Sequence, residues 1–575
     1  MHSPNKRLFD AIGLLLNVLI CGFLAWYIYT FLSKCGPYFF DVNYQTDDAR
    51  TIWFPFHRYT QPPHLLNDPI AGEMLALVPP FLRLVFGQLA SWTDVYFAPK
   101  IIQWCALSII AFAAFLLARH KRLGLASGVF LLFIFIHSYM VMNRISGGLP
   151  RAFAYPCFAL WAAGVVTRSR NIRWVSVVGA GLTYPSAMAM LLGAEGSFVF
   201  FREILRRKRD RLKGLAKPLG LYAGLVTLCV LISAPMLMHS EAGPIHTLEE
   251  AKKNPGFYRY GRLGVLPFPE PGPAFGKAFL HPLQSSIKKP TDPIAKTYKD
   301  AELWGKGLLA GLFLLLVVFR LTPLPLGAIA FLTSSVVLYT LSRLVAFSLY
   351  SPERYYSFGM RACMLVFLVE TLCLVGYKIR KPKRGFVRPA LTIAFIGIIW
   401  LCTGSGIHKK NAITISRAPK APLYEKVMTL NDDILIAAHP FDADDIPYWT
   451  GRATMGGYET IQPWFKTAWA KQKKRTEDTL KALYAAKPEV VFDYAKKYGV
   501  THFLINKNRY GKKYKKHSRT FEPFSKYAKK IIGRKKPKDF VFHKPPKSAV
   551  LFSYKRFSMV DVNLLEKALR EQSNP

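Results

Sequence analysis

Long apolar blocks alternate with short basic connections over the first 405 residues, and then the pattern stops. About 20 apolar residues in a row cover the ~30 Å hydrocarbon core as a helix. The blocks predict about eleven spans by that measure: Leu8–Leu32, Tyr96–Ala118, Gly124–Met142, Arg151–Val166, a pair over Val175–Phe201 broken at Tyr184-Pro185, Leu219–Met238, Trp304–Phe319, Leu324–Leu349, Ser357–Tyr377 and Pro389–Cys402. Met74–Leu89 has the amphipathic pattern of an interfacial helix. After Ser405 short elements alternate, which predicts a small α/β domain over 406–575 behind a bundle over 1–405. The expected fold class is therefore an α-helical polytopic membrane protein with a C-terminal α/β domain.

Charge orients this bundle. Dense basic clusters fall on every second connection: Lys6-Arg7, Arg119–Arg122, Arg168–Arg173, Arg202–Lys217 and Lys378–Arg388. Positive loops stay cytoplasmic, so the N-terminus is expected inside. The loops 35–94 and 239–303, the turns 143–150 and 351–356, and everything after residue 405 are expected outside, on the extracytoplasmic face. The formal charge of +43 thus has two sources, loop clusters and a lysine-rich stretch from Lys507 to Lys547. Neither makes nucleic acid a natural partner. An anionic envelope polymer or anionic headgroups suit the lysine stretch through long-range attraction, and a solvated surface is its plainer reading. The eight cysteines lie almost wholly in apolar spans and form neither a disulfide framework nor a metal cluster. The first apolar segment lacks a small-residue cleavage site and reads as an uncleaved span in a plasma membrane.

The first outer loop concentrates the chemistry. Asp47-Asp48 follows the first span closely, in the run Tyr44-Gln45-Thr46-Asp47-Asp48-Ala49-Arg50. Adjacent carboxylates raise each other's pKa and attract a cation or metal; a carboxylate there can also deprotonate an acceptor hydroxyl. The plainer reading is an N-terminal helical turn. Arg50, His57, Arg58, His64 and Asp68 follow, interleaved with Trp53, Phe54, Phe56 and Tyr59. Aromatics beside charges suit a sugar or headgroup, and equally an interfacial belt.

A first span, an acidic pair in a long outer loop, further spans and a C-terminal outer domain resemble the GT-C glycosyltransferases of bacterial type. The phrases Ile446-Pro447-Tyr448-Trp449-Thr450-Gly451-Arg452 and Tyr498-Gly499-Val500-Thr501-His502-Phe503-Leu504-Ile505 also look like segments that follow the last span in such proteins. The resemblance implies inverting transfer of a sugar from a polyprenyl-phosphate donor to an envelope acceptor on the extracytoplasmic face of a bacterial inner membrane. Asp47 or Asp48 would be the base, or would help hold a divalent metal such as Mg or Mn; Arg50, His57 and His64 would line the substrate loop.

A lipid-phosphate leaving group needs cations at the outer surface, and arginine meets phosphate oxygens with a planar fork. Arg144 and Arg151 flank the turn Ile145-Ser146-Gly147-Gly148-Leu149-Pro150, Arg354 follows Ser351-Pro352-Glu353, and Arg361 lies further into the next span. Snorkelling to headgroups is the plain reading of the first pair; an ionisable residue within a span, such as Arg361, usually faces a cavity. The proline-rich run 266–273 excludes regular helix and fits a lid or a connector. A transporter and a non-catalytic envelope scaffold are the competing classes.

Overall fold

The computed structural model describes residues 4–206, 216–238, 242–270, 325–347, 351–378, 386–403 and 413–573, with single positions 273, 278 and 407. The expected span Trp304–Phe319 lies outside them. Within them run α1 (Pro4–Phe39), β1 (Tyr44–Thr46), α2 (Asp47–Trp53), α3 (Ala71–Leu75), α4 (Pro80–Trp92), α5 (Ala98–Arg119), α6 (Gly124–His137), α7 (Tyr139–Ile145), α8 (Ala154–Val166), α9 (Arg170–Thr183), α10 (Pro185–Arg206), α11 (Ala216–Met238) and α12 (Leu248–Lys253). There follow α13 (Leu326–Leu344), α14 (Pro352–Lys378) and α15 (Val387–Thr403).

Five described helices are long and apolar enough to cross a membrane: Leu8–Phe39, Ala98–Arg119, Ala216–Pro235, Leu326–Leu344 and Pro352–Val375. A sixth is counted if α6 and α7, bent by 72°, form one broken span. Helix α8, at 13 residues, is buried along its whole length and packs inside the bundle. The expected break at Tyr184-Pro185 separates α9 from α10. The residue before a proline is driven extended, and Tyr184 sits at φ −147°, ψ 92°, while Pro185 starts the next helix with its ring preset for a first turn. The amphipathic stretch in the loop after α1 forms α4, beginning at Pro80 rather than Met74 because prolines 79 and 80 end the preceding chain.

The C-terminal part carries β2 (Ile413–Ser416), α16 (Ala421–Met428), β3 (Leu435–Ala438), α17 (Pro440–Ala443), α18 (Ile446–Thr450), β4 (Ala453–Thr454), α19 (Lys466–Leu483), α20 (Pro488–Tyr498), β5 (His502–Asn506), α21 (Tyr514–His517), α22 (Phe524–Ile532), β6 (Val550–Tyr554), β7 (Phe557–Asp561) and α23 (Val562–Ser573). One five-stranded sheet runs β4-β3-β5-β7-β6, parallel from β4 to β5 and antiparallel beyond. Residues 550–561 form a hairpin turning at Lys555, whose φ is 51°. The stretch around Tyr448 is the short helix α18, closed by Gly451 at φ 65°.

Two features tie this domain to the bundle. Strand β1 pairs antiparallel with β2, Gln45 opposite Ile415, so the chain after the first span meets the chain after the last. The segment 242–270 also lies on the domain: Ile245 bridges Phe465, Gly261 bridges Glu522, and Lys466 Nζ is 2.6 Å from Glu250.

Candidate functional site

Asp47 and Asp48 open α2. The cap is Thr46, whose Oγ1 accepts the Ala49 N–H at 3.3 Å, leaving both carboxylates at the positive end of the short helix. Both stay in reach of solvent, their side chains 54% and 46% exposed. The glycine turn after α7 presses on this point. Gly147 (φ +89°) would set a Cβ 2.2 Å from Thr46 Oγ1, and Gly148 (φ +59°) would set one 2.3 Å from Pro99 O. Only glycine fits either position, and Trp53 Nε1 holds the turn by donating to Gly147 O at 3.2 Å.

That close approach delivers arginines to Asp48. Arg151 Nη2 lies 2.5 Å from Asp48 Oδ2. Arg144 and Arg354 both stand against the Phe358 ring, 5.0 and 5.7 Å from its centroid, a cation–π placement. Phe358 stacks on Tyr155 at 5.6 Å, and Arg361 stands beside Tyr155. The turn 146–150 and the first turns of α14 therefore bring Arg144, Arg151 and Arg354 to Asp48, while Arg361 stands with Tyr155. Burial works against the Asp48 charge, but Arg151, then Arg354 and Arg144, outweigh it and hold the carboxyl below its ordinary range. Among these groups three guanidiniums share one carboxylate, which favours a further anion.

Asp47 faces elsewhere, toward the C-terminal domain. Arg50, buried between α2 and the start of α18, donates to Asp47 and Asp445 and lies 3.3 Å from Asp444 Oδ2. Asp445 also takes Lys420 Nζ at 2.6 Å and the Tyr424 hydroxyl at 3.2 Å. Asp444 Oδ1 accepts the Glu459 N–H at 2.7 Å, and Glu459 pairs with Arg262, which stacks on Tyr458. The histidines lie on the same seam. His57 Nε2 donates to Tyr448 O at 2.8 Å, and burial pulls its pKa down to about 4, so it is neutral. His64 is 3.3 Å from Asp432 and lies under Gly451. Arg50, His57 and His64 thus sit in the joint between loop and domain, apart from the arginines around Asp48. Tyr96 stacking on Trp449 at 5.6 Å and Arg475 at 3.2 Å from Glu73 extend that joint.

Asp444, Asp445, Glu459, Arg262 and Lys420 escaped the sequence reading. The available signal was Asp444-Asp445, directly before the phrase that begins at Ile446. The Lys507–Lys547 lysines 512, 513, 515, 516, 529, 530, 535 and 536 are exposed.

Glu459 gives the seam a pH dependence. Burial, reinforced by Asp47, Asp444 and Asp48 and opposed by Arg262, pushes its pKa up to about 7 from 4.5. An acid raised on folding contributes stability that is complete below pH 4.5 and is lost as pH rises through about 7. Thermal unfolding of Glu459→Gln against the native chain is expected to show this slope removed, a difference on the order of 3 kcal/mol between pH 4.5 and 8. Identical pH profiles would count against it.

For a divalent metal the donors do not fit. Among the described residues no group of three or more His, Cys, Asp or Glu side chains is arranged to hold one. Asp47 and Asp48 also point to different arginines, Arg50 and Arg151.

No family model matches the chain, and neither does any curated sequence. Among solved structures it is similar to the apo oligosaccharyltransferase of Archaeoglobus fulgidus, with 13% identity and a TM-score of 0.43, covering 90% of this chain and 72% of that one. The same enzyme in complex with zinc and sulfate matches at 13% identity and TM-score 0.37, over 92% of this chain and 70% of that one. The archaeal oligosaccharyltransferase AglB of that organism, in complex with an inhibitory peptide and a dolichol-phosphate, matches at 12% and 0.37, over 92% and 73%.

Proposed function

We propose that the chain is a membrane glycosyltransferase that moves a sugar from a polyprenyl-phosphate donor to an envelope acceptor. The observation that carries this reading is Asp48 paired with Arg151 while Arg354 and Arg144 act on the same carboxylate. A base and a phosphate-binding cation cluster are then neighbours, which is what displacement of a lipid phosphate requires. In the proposed step the acceptor hydroxyl oxygen attacks the anomeric carbon as the bond from that carbon to the phosphate oxygen breaks. Asp48 takes the hydroxyl proton, and the electron pair leaves with the polyprenyl phosphate. Attack opposite the leaving group inverts the anomeric centre. Arg144 and Arg354 neutralise the charge that develops on the phosphate, commonly a large catalytic term, with Arg361 behind them.

The arginines tie the two roles together. A carboxylate held at low pKa is a weak base. An incoming phosphate shares the guanidiniums with Asp48, raising its basicity when the donor is in place. No step is routed through a metal. On this reading a bundle over 1–405, with about eleven spans, sits in a bacterial inner membrane, with its N-terminus cytoplasmic and the domain 406–575 outside. The exposed lysines there would face an anionic envelope polymer.

The purified chain in vesicles, given radiolabelled polyprenyl-phosphate sugar and an envelope extract, should form labelled product. Arg144→Ala and Arg354→Ala should each weaken donor use by ~10²–10³-fold. Flux of the lipid without glycosidic product would make it a transporter, neither product nor flux would make it a scaffold, and product formed indifferently to both substitutions would remove the arginines from the proposed role.

A further inference from the structure

At the far end of α9 from Asp48, the bundle has a second basic recess. Its walls come from the start of α9, the end of α10 and the start of α11, and it encloses a cavity of about 420 Å³. Four cations line it, Arg170, Arg173, Arg202 and Lys217, against two acids, Glu195 and Glu203. Arg173 and Glu195 are each 1% exposed and form a forked pair: Nε and Nη2 of the arginine reach the two carboxylate oxygens at 2.8–3.1 Å. Trp161 Nε1 donates to the same carboxylate at 3.1 Å. The remaining nitrogen, Arg173 Nη1, is buried with no hydrogen-bond partner. A buried N–H of a charged group left unpaired is costly, so an acceptor at that point would be stabilising. Arg170, against the Trp174 ring at 5.0 Å, and Lys217 are exposed at the mouth.

The recess does not end at its polar wall. Sharing Trp174 and Leu221 with it, an apolar groove of about 540 Å³ continues between α9 and α11. Trp174, Val178 and Leu182 form one side, and Gly220, Gly224 and Leu228 the other. The groove floor is open: a Cβ at Gly220 or Gly224 would meet nothing within 4 Å. Helix α11 is one of the membrane-crossing helices. A cationic recess with two unsatisfied donors, Arg173 Nη1 and Arg202 Nε, continuous with an apolar channel along a span, has the two-part shape of a lipid.

We propose that this recess and groove hold an anionic glycerophospholipid, its phosphate at Arg173 Nη1 and the mouth cations and its acyl chain along Gly220 and Gly224. The donor-phosphate arginines are at the other end of the same helix. Thr183 ends α9, and the next residue, Tyr184, lies 6.0 Å from the Phe358 ring that carries Arg144 and Arg354. Fourteen residues of helix put ~21 Å between the two ends. The site is therefore distinct from the donor-phosphate arginines and takes a bulk membrane lipid, a property separate from sugar transfer.

Native mass spectrometry of the full chain, titrated with dioleoyl phosphatidylglycerol or dioleoyl phosphatidylcholine, tests this. Phosphatidylglycerol is expected to bind at least ~10-fold more tightly than phosphatidylcholine, as follows from a desolvated charge-assisted contact. Arg170→Ala with Lys217→Ala should abolish the preference, and Gly220→Leu with Gly224→Leu should abolish binding without a collision in the fold. Arg144→Ala should leave both unchanged. Equal binding of the two lipids, survival of the preference in either double variant, or displacement of phosphatidylglycerol by an equal concentration of polyprenyl phosphate would each overturn the proposal.

Discussion

Asp48→Asn is expected to lower sugar transfer by ~10²–10⁴-fold, the range for loss of a positioned general base, while donor binding holds or tightens. The two readouts move apart for an electrostatic reason. Asparagine keeps the shape and can still accept from Arg151, but it removes the Asp48 charge on which Arg151, Arg354 and Arg144 act. The field at the phosphate position becomes more positive, so the donor KM should fall as kcat collapses. A merely structural aspartate would lose both together. Asp47→Asn serves as the comparison: its partner is Arg50, on the seam, so its effect on kcat should be far smaller. Transfer kinetics on the two variants decide between the aspartates, and equal losses would remove Asp48 from the proposed role.

Arg50→Met is expected to open the joint between the loop after α1 and the C-terminal domain, at a cost of ~3–5 kcal/mol, the range for removing one partner from a buried ionic group. Arg50 is buried and is shared by Asp47, Asp444 and Asp445. Lys420 would still face Asp445, but Asp444 would be left between the Glu459 amide and solvent-poor surroundings. Hydrogen exchange should rise in 44–59 and 444–459 and stay unchanged in α5 and α6. Arg50→Lys should rescue only part, since an ammonium cannot fork across three carboxylates. Unchanged exchange in those two segments would show that the joint is held by its apolar contacts alone.

The local parts of this fold were legible in the sequence because their causes are local. Pro185 breaks the helix pair by its ring, and Gly499 ends α20 at φ 69°, a conformation that glycine adopts freely. The arginines flanking Gly147-Gly148 drew notice for charge next to a flexible turn. What no spacing could reveal was that the turn would touch Thr46, about a hundred residues earlier, since that contact depends on α5 and α6 packing between them. The same holds for Arg50, whose neighbours in space are some 400 residues away and whose neighbours in sequence suggested a substrate loop. The hairpin at Lys555 was hidden for a different reason. Its turn residues, Lys555 and Arg556, carry none of the Asn-Gly or Asp-Gly chemistry that marks such reversals.

The pairing of Tyr44–Thr46 with Ile413–Ser416 has a consequence for biogenesis. During synthesis the acidic loop emerges early, but its partner strand is made only after the last membrane helix. Until then the Thr46 edge has no mate, and the carboxylates beside it lack their final frame. If the loop acts as proposed, its chemistry would be framed only on completion of the chain.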